Sequence, residues 1–207
     1  MNAKTLLRLI IVVLAGAAAF PARSQSSTNQ PSESDMMATM TELAKPGENH
    51  KQFASLAGEW SYTVKFWMNP QSPPSESSGT TVSKLVMGGR YLISNHTGKM
   101  SMPGPDGKMT DVTFEGMAIE GYDNAKKKFV SSWIDNMGTG IENSEGTYDA
   151  ATKTLTYTGT YEPMPGMVTK IRQVDKCVDD DHHTMEMFED RGGTLVKTVE
   201  IHYSRKS

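Results

Sequence analysis

The 207-residue sequence predicts an all-β fold: an antiparallel up-and-down barrel of about ten strands, preceded by one or two short helices. Three observations lead there. From Trp60 onward, apolar and polar residues alternate with the two-residue period of a strand. Clusters of Gly, Pro, Asp and Asn interrupt that alternation at intervals of roughly ten residues, the punctuation of hairpins. Neighbouring segments are never separated by enough chain for a crossover helix, so they must pair antiparallel.

The first residues carry a different signal. Lys4 and Arg8 precede an apolar run from Leu9 to Phe20, and the small residues of Ala17-Ala18-Ala19 and Ala22-Arg23-Ser24 follow. That order is the signature of a secretory signal peptide, here residues 1–24, and the run is short for a bilayer span. A periplasmic or secreted location is therefore expected, with no transmembrane span in the mature protein. Removing residues 1–24 takes away Lys4, Arg8 and Arg23 but no acid, so the net charge moves from −3 to −6. A mildly acidic chain lacks the basic footprint of a nucleic-acid binder. Cys177 is the only cysteine, which rules out an internal disulfide and reads as a small buried hydrophobe.

Residues 25–34 are Ser, Thr, Asn, Gln, Pro and one Glu with no large apolar side chain, a linker composition. The leader, residues 25–47, then holds a short Met-rich helix. Ser34 or Asp35 caps it, Met36, Met37, Met40, Leu43 and Ala44 recur at helical spacing, and Pro46-Gly47 stops it. It either covers a mouth of the barrel or remains a free leader. The barrel domain takes residues 48–207, opening with a turn or two of helix from about Glu48 that turns Phe53, Leu56 and Ala57 inward before Gly58.

Trp60, Tyr62, Val64, Phe66 and Met68 share one face of the first strand. The others are expected near 79–87, 90–101, 111–122, 127–136, 139–148, 153–161, 167–177, 182–190 and 194–204. Turns fall at Met87-Gly88-Gly89, at residues 103–107, and at Asp123-Asn124, Asp149-Ala150-Ala151-Thr152, Asp179-Asp180-Asp181 and Arg191-Gly192-Gly193. Tyr122-Asp123 and Tyr148-Asp149 echo each other 26 residues apart, marking two successive hairpins. A meander of this length leaves two open edges unless it curls and closes, and a closed barrel of eight or more strands encloses room for a small ligand. A two-layer sandwich, the alternative, needs longer connections for strands that change sheet.

Two pieces of sequence are familiar. Gly58-Glu59-Trp60 resembles the Gly-x-Trp opening of calycin barrels, the group of lipocalins and fatty-acid-binding proteins, in which a last-strand Arg packs over the Trp; Arg205 stands where that Arg is expected. Gly58, Trp60 and Arg205 are thus candidates for closing one barrel end. Pro46-Gly47 with His50, Leu56-Ala57-Gly58-Glu59-Trp60, Gly88-Gly89-Arg90, Phe114-Glu115-Gly116, Gly121-Tyr122-Asp123-Asn124, Trp133-Ile134-Asp135, Met137-Gly138-Thr139-Gly140 and Glu145-Gly146-Thr147-Tyr148-Asp149 together resemble the bacterial domain-of-unknown-function family 1579. That resemblance implies a small calycin-like barrel and supplies no substrate, cofactor or catalytic residue.

Phe129, Ser131, Trp133 and Asp135 share a strand face, and an Asp among aromatics inside a barrel would orient the polar head of a ligand. Tyr91, His96, Glu115 and Tyr122 on the preceding strands complete a mixed lumen, although the alternation there fits either face, so a wet outer face remains open for each. His202 alternates with Tyr203 and stands two residues from Glu200: turned inward it would be a ligand-binding residue or a haem or metal ligand, as the late-strand His of nitrobindins is, and turned outward a solvated pair. His183, Met185 and Met187 share another face, a donor set that suits copper as well as it suits plain packing. Nucleophile elbows, zinc-protease motifs and phosphate loops are lacking, so binding of a small hydrophobic, lipid-like molecule is expected rather than turnover. Haem or copper is the alternative, and an enzyme using lumen carboxylates a further one.

Overall fold

A computed structural model describes residues 31–104 and 106–207; the expected signal peptide lies outside the described residues. The chain divides into two compact units, one ending at Ala38 and one comprising Thr39–Ser207. Helix α1 (Glu33–Leu43) starts beneath Ser32, whose hydroxyl accepts the Asp35 amide at 3.2 Å, a cap two residues earlier than the periodicity indicates. It buries none of its residues: Met36, Met37, Met40 and Leu43 all stay exposed. Beyond it, Arg90 donates to the Ala44 carbonyl at 2.7 and 3.0 Å, and Asn124 donates to the Leu43 and Lys45 carbonyls at 2.8 Å. Helix α2 (Glu48–Lys51) begins with the Gly47 amide donating to His50 Nδ1 and runs into a 3-10 turn, Gln52–Leu56.

Ten strands follow: β1 (Gly58–Phe66), β2 (Ser75–Val86), β3 (Tyr91–Pro103), β4 (Met109–Asp123), β5 (Lys128–Asp135), β6 (Glu142–Asp149), β7 (Thr154–Tyr161), β8 (Thr169–Cys177), β9 (His182–Arg191) and β10 (Thr194–Arg205). Each pairs antiparallel with its sequence neighbours, and β1 pairs with β10, Trp60 opposite Arg205, so the meander closes into a barrel without free edges. β1 stops at Phe66; Met68 lies beyond it, largely exposed. The echoed hairpins share one turn. Asp123 Oδ1 accepts the amides of Ala125 and Lys126, Asp149 Oδ1 accepts that of Ala151, and Lys127 and Lys153 take the left-handed conformation that returns the chain.

Two apolar clusters fix the interior. Phe53, fully buried in the 3-10 turn, packs with Leu92, Phe129, Leu155 and Tyr157 and plugs the end of the barrel where β1 begins. Trp60, Tyr62 and Tyr203 form the second cluster, with Val64, Met185 and Ile201 against it. Gly79 and Gly98 face each other on β2 and β3 so that the Tyr62 ring can cross them and donate to the Thr97 carbonyl at 3.1 Å. A Cβ at Gly79 would meet that carbonyl oxygen at 2.2 Å and the Tyr62 hydroxyl at 2.4 Å. Gly79→Ala is therefore expected to destabilise by about 1–3 kcal/mol, read as a lower urea midpoint with unchanged slope; an unchanged midpoint would show that the two strands part at no cost.

Candidate functional site

Closure fixes which side chains enter the lumen. Starting from Trp60 and Tyr62, the registers place Thr81 and Ser83 of β2, Ser94 and His96 of β3, and Phe114, Ala118, Glu120 and Tyr122 of β4 inside. Phe129, Ser131, Trp133 and Asp135 of β5 follow, then Glu142 and Ser144 of β6. Tyr157 and Tyr161 of β7, Gln173 and Asp175 of β8, and His183, Met185, Met187 and Glu189 of β9 complete the ring with Ile201 and Tyr203 of β10. Of the ligand-binding candidates, His96, Tyr122, Trp133 and Asp135 point inward. Tyr91, Glu115 and His202 occupy the opposite parity and lie on the outer wall.

For His202 the sequence left two orientations open, and the structure selects the outer one. Tyr203 is buried and fills the lumen position, which turns its neighbour out; there His202 Nε2 sits 2.9 Å from Glu200 Oε1. Glu200 also holds Lys197, and that hydrogen bond, with the one from His202, brings its carboxyl down to about 2. A metal or haem inside the barrel is out of its reach. A bulge between Lys197 and Val199 inverts the alternation midway along β10, so Leu195 is exposed although it precedes Val199 by an even count.

Arg205 carries the closure. Its guanidinium stands 4.0 Å from the Trp60 ring centroid and donates to the carbonyls of Ser55, Ala57 and Asp180 at 2.8–2.9 Å. Gly58 adopts φ +133°, and a Cβ there would sit 2.5 Å from Arg205 Nη1, so the position needs glycine on two counts. The opposite end is a mouth. Phe66, Met68, Met102, Met137, Ile141 and Met167 stand exposed around it, and Asp135 Oδ2 accepts the Trp133 indole N–H at 2.8 Å beneath the rim. Burial, with the Asp135 charge next to it, raises Glu142, and Tyr161 donates to Glu189 at 2.8 Å.

Beside the Phe53 plug, opposite Leu92 and Leu155, lie the two residues that sequence reasoning missed, Glu120 and Asp175. Tyr157 donates to Glu120 Oε1 at 3.1 Å, and Gln173 donates to Asp175 Oδ2 at 2.8 Å. Burial pushes Glu120 up to about 7 against the lowering effect of the Tyr157 bond; burial and then the Glu120 charge push Asp175 up to about 8. Neither has a Lys or Arg partner among the described residues. Burial lowers His96 and His183 to about 4, the latter helped by the charges of Arg205 and His96, so both rings are neutral at physiological pH. His96 Nδ1 lies 2.8 Å from Thr81 Oγ1, and His183 stacks on Tyr203 at 4.0 Å.

His183, Met185 and Met187 do form one inward row. Among the described residues, however, no three or more His, Cys, Asp or Glu side chains converge in the manner of a metal site. Cys177 is half-buried and its thiol donates to the Asp179 carbonyl. No helix among the described residues is long and apolar enough to cross a membrane.

Comparison with known proteins agrees with this architecture. The model of a family described as "Protein of unknown function (DUF1579)" matches residues 45–205. No curated protein matches the chain. The barrel is similar to the crystal structure of Rv2717c from M. tuberculosis, with a TM-score of 0.56 and 15% identity over 79% of this chain and 100% of that one.

Proposed function

This chain belongs to the DUF1579 family, a family of unknown function, and from that premise we propose that it is an exported barrel whose lumen binds a small, largely apolar molecule with a polar head. One observation carries the reading. Glu120, Gln173, Asp175, Met185 and Met187 all face the inside of a closed wall, yet all keep part of their surface accessible. Side chains filling the barrel solidly would leave no such surface, because native interiors pack like molecular crystals. Binding acts by burial, about 0.8 kcal/mol for each CH2 group taken from water, while the polar lumen groups fix the head. The exposed apolar side chains around the mouth suit the entry of such a molecule.

Purified full-length protein, extracted with organic solvent, is expected to yield about one equivalent of an organic compound by mass spectrometry. A clean extract, together with a melting temperature that no added apolar compound raises, would refute the reading. The same sample's absorption spectrum and metal content test the haem and copper alternative, now confined to the His183, Met185 and Met187 row. Export rests on the basic, apolar and small-residue order of residues 4–24. Expression in a Gram-negative host is expected to leave a shortened N-terminus in the periplasmic fraction; an intact Met1 in the cytoplasm would count against it.

A second reading has one observation in its favour: two interior carboxyls held near neutrality are what a general acid–base pair requires. Conversion of the extracted compound on incubation with fresh protein would move the conclusion to catalysis.

A further inference from the structure

We propose that the lumen selects an organic cation, a primary ammonium on an apolar or aromatic body, with the ammonium held by Glu120, Asp175 and the Tyr203 hydroxyl. This deepens the lumen-binding reading and rests on it.

The first argument is valence. A carboxylate offers about four lone-pair sites, whereas Glu120 and Asp175 each receive one side-chain donor, Tyr157 and Gln173 respectively. Interior carboxylates without a countercharge are costly and either take up protons or acquire a cation from outside.

The second argument is the field. Every other carboxyl on the inner face, Asp135, Glu142 and Glu189, lies between the pair and the mouth. The cations that reach the inner face are already committed: Arg205 to Trp60 and three carbonyls, Arg191 to Glu189. A cavity lined by one sign of charge concentrates the opposite sign. An ionised fatty acid would enter against that field and find no free cation at the bottom.

The third observation is independent of the acids. Tyr203 is 6% exposed, yet its hydroxyl has no hydrogen-bond partner among the described residues. Asp175 and Glu120 lie near enough to add to the burial that raises this phenol, so the hydroxyl stays neutral in their neighbourhood. Among the described residues the fully enclosed side-chain oxygen without a partner is Thr198 Oγ1, so the unpaired Tyr203 hydroxyl keeps accessible surface and a free valence. An ammonium brings three N–H donors, matching Glu120, Asp175 and the Tyr203 oxygen. Tyr62, with its ring centroid 5.8 Å from that of Tyr203, adds an aromatic wall on which a cation is stabilised.

Titration calorimetry with three probes of one shape tests this: phenylethylammonium, 2-phenylethanol and phenylacetate, at about pH 8, where the carboxyl pair ionises. The amine is expected to bind at least about tenfold more tightly than the alcohol, with the acid weakest. In E120Q/D175N the amine affinity is expected to fall by at least that factor, and in E115Q, on the outer wall, to stay unchanged. Circular dichroism establishes that each variant is folded. Equal affinity for amine and alcohol, tighter binding of phenylacetate, or an amine affinity untouched in E120Q/D175N overturns the cation assignment and leaves lumen binding standing. Failure of all three probes, when the solvent extract nonetheless holds a compound that is not an amine, overturns the assignment alone; failure of all three with a clean extract overturns both.

Discussion

Trp60→Ala is expected to cost about 3–5 kcal/mol, the range for deleting a fully buried large aromatic side chain. The indole is 1% exposed, and its N–H donates to the Leu56 carbonyl at 3.0 Å, tying the first strand to the 3-10 turn that plugs the barrel. Its loss also strips the Arg205 guanidinium of the ring it covers. Arg205→Lys keeps the charge, but a single ammonium cannot span the carbonyls of Ser55, Ala57 and Asp180, so a loss of about 2 kcal/mol is expected there. Because the two side chains act on one joint, the double variant should lose less than the sum, by about 1 kcal/mol in a denaturation cycle. Strict additivity would mean that the Trp and the Arg stabilise separate parts of the fold.

That joint was legible through the resemblance to calycin barrels, which pairs a Gly-x-Trp opening, here residues 58–60, with a last-strand Arg, here two positions after Tyr203. The strands were legible for a similar reason. Each hairpin supplies its own turn residues, and each wall strand must alternate, so the expected segments fall within a few residues of the observed ones. The parity of β3 and β4 was not legible. On β4 the exposed outer residue is Ile119 and the inner one is Glu120, the reverse of what hydropathy indicates. A polar lumen removes the contrast on which the two-residue period depends, and the candidates Tyr91 and Glu115 ended on the outer wall for that reason. Asp175 did leave a trace: Lys170, Arg172 and Lys176 share one face of β8, which commits Ile171, Gln173 and Asp175 to the other. The bulge on β10 left none, since Thr198 looks like any other strand threonine.

The stability of the barrel is expected to be nearly level from about pH 4 to 6, where two opposing contributions cancel, and to fall as the pH rises from there toward 8. Glu120 and Asp175 have folded values near 7 and 8, above their ordinary 4.5 and 3.8. Their raised values make the folded state the better proton binder, so their contribution is complete below about pH 4 and disappears as the pH climbs through 7 and 8. His96 and His183 work the other way. Depressed from 6.5 to about 4, they contribute above pH 6.5 and lose that contribution as the pH falls toward 4. At about 1.4 kcal/mol per unit of displacement, each pair's contribution is on the order of several kcal/mol, with each pair counted jointly because its members act on one another. Urea midpoints measured from pH 5 to 9 check the shape. In E120Q/D175N the alkaline fall should vanish and a fall below about pH 6.5, hidden in the parent, should emerge, which a further His183→Asn should weaken. A parent protein whose stability holds constant from pH 7 to 9 would mean that the two carboxyls ionise as readily in the folded as in the unfolded chain, and the case for an uncompensated, cation-selective pair would go with it.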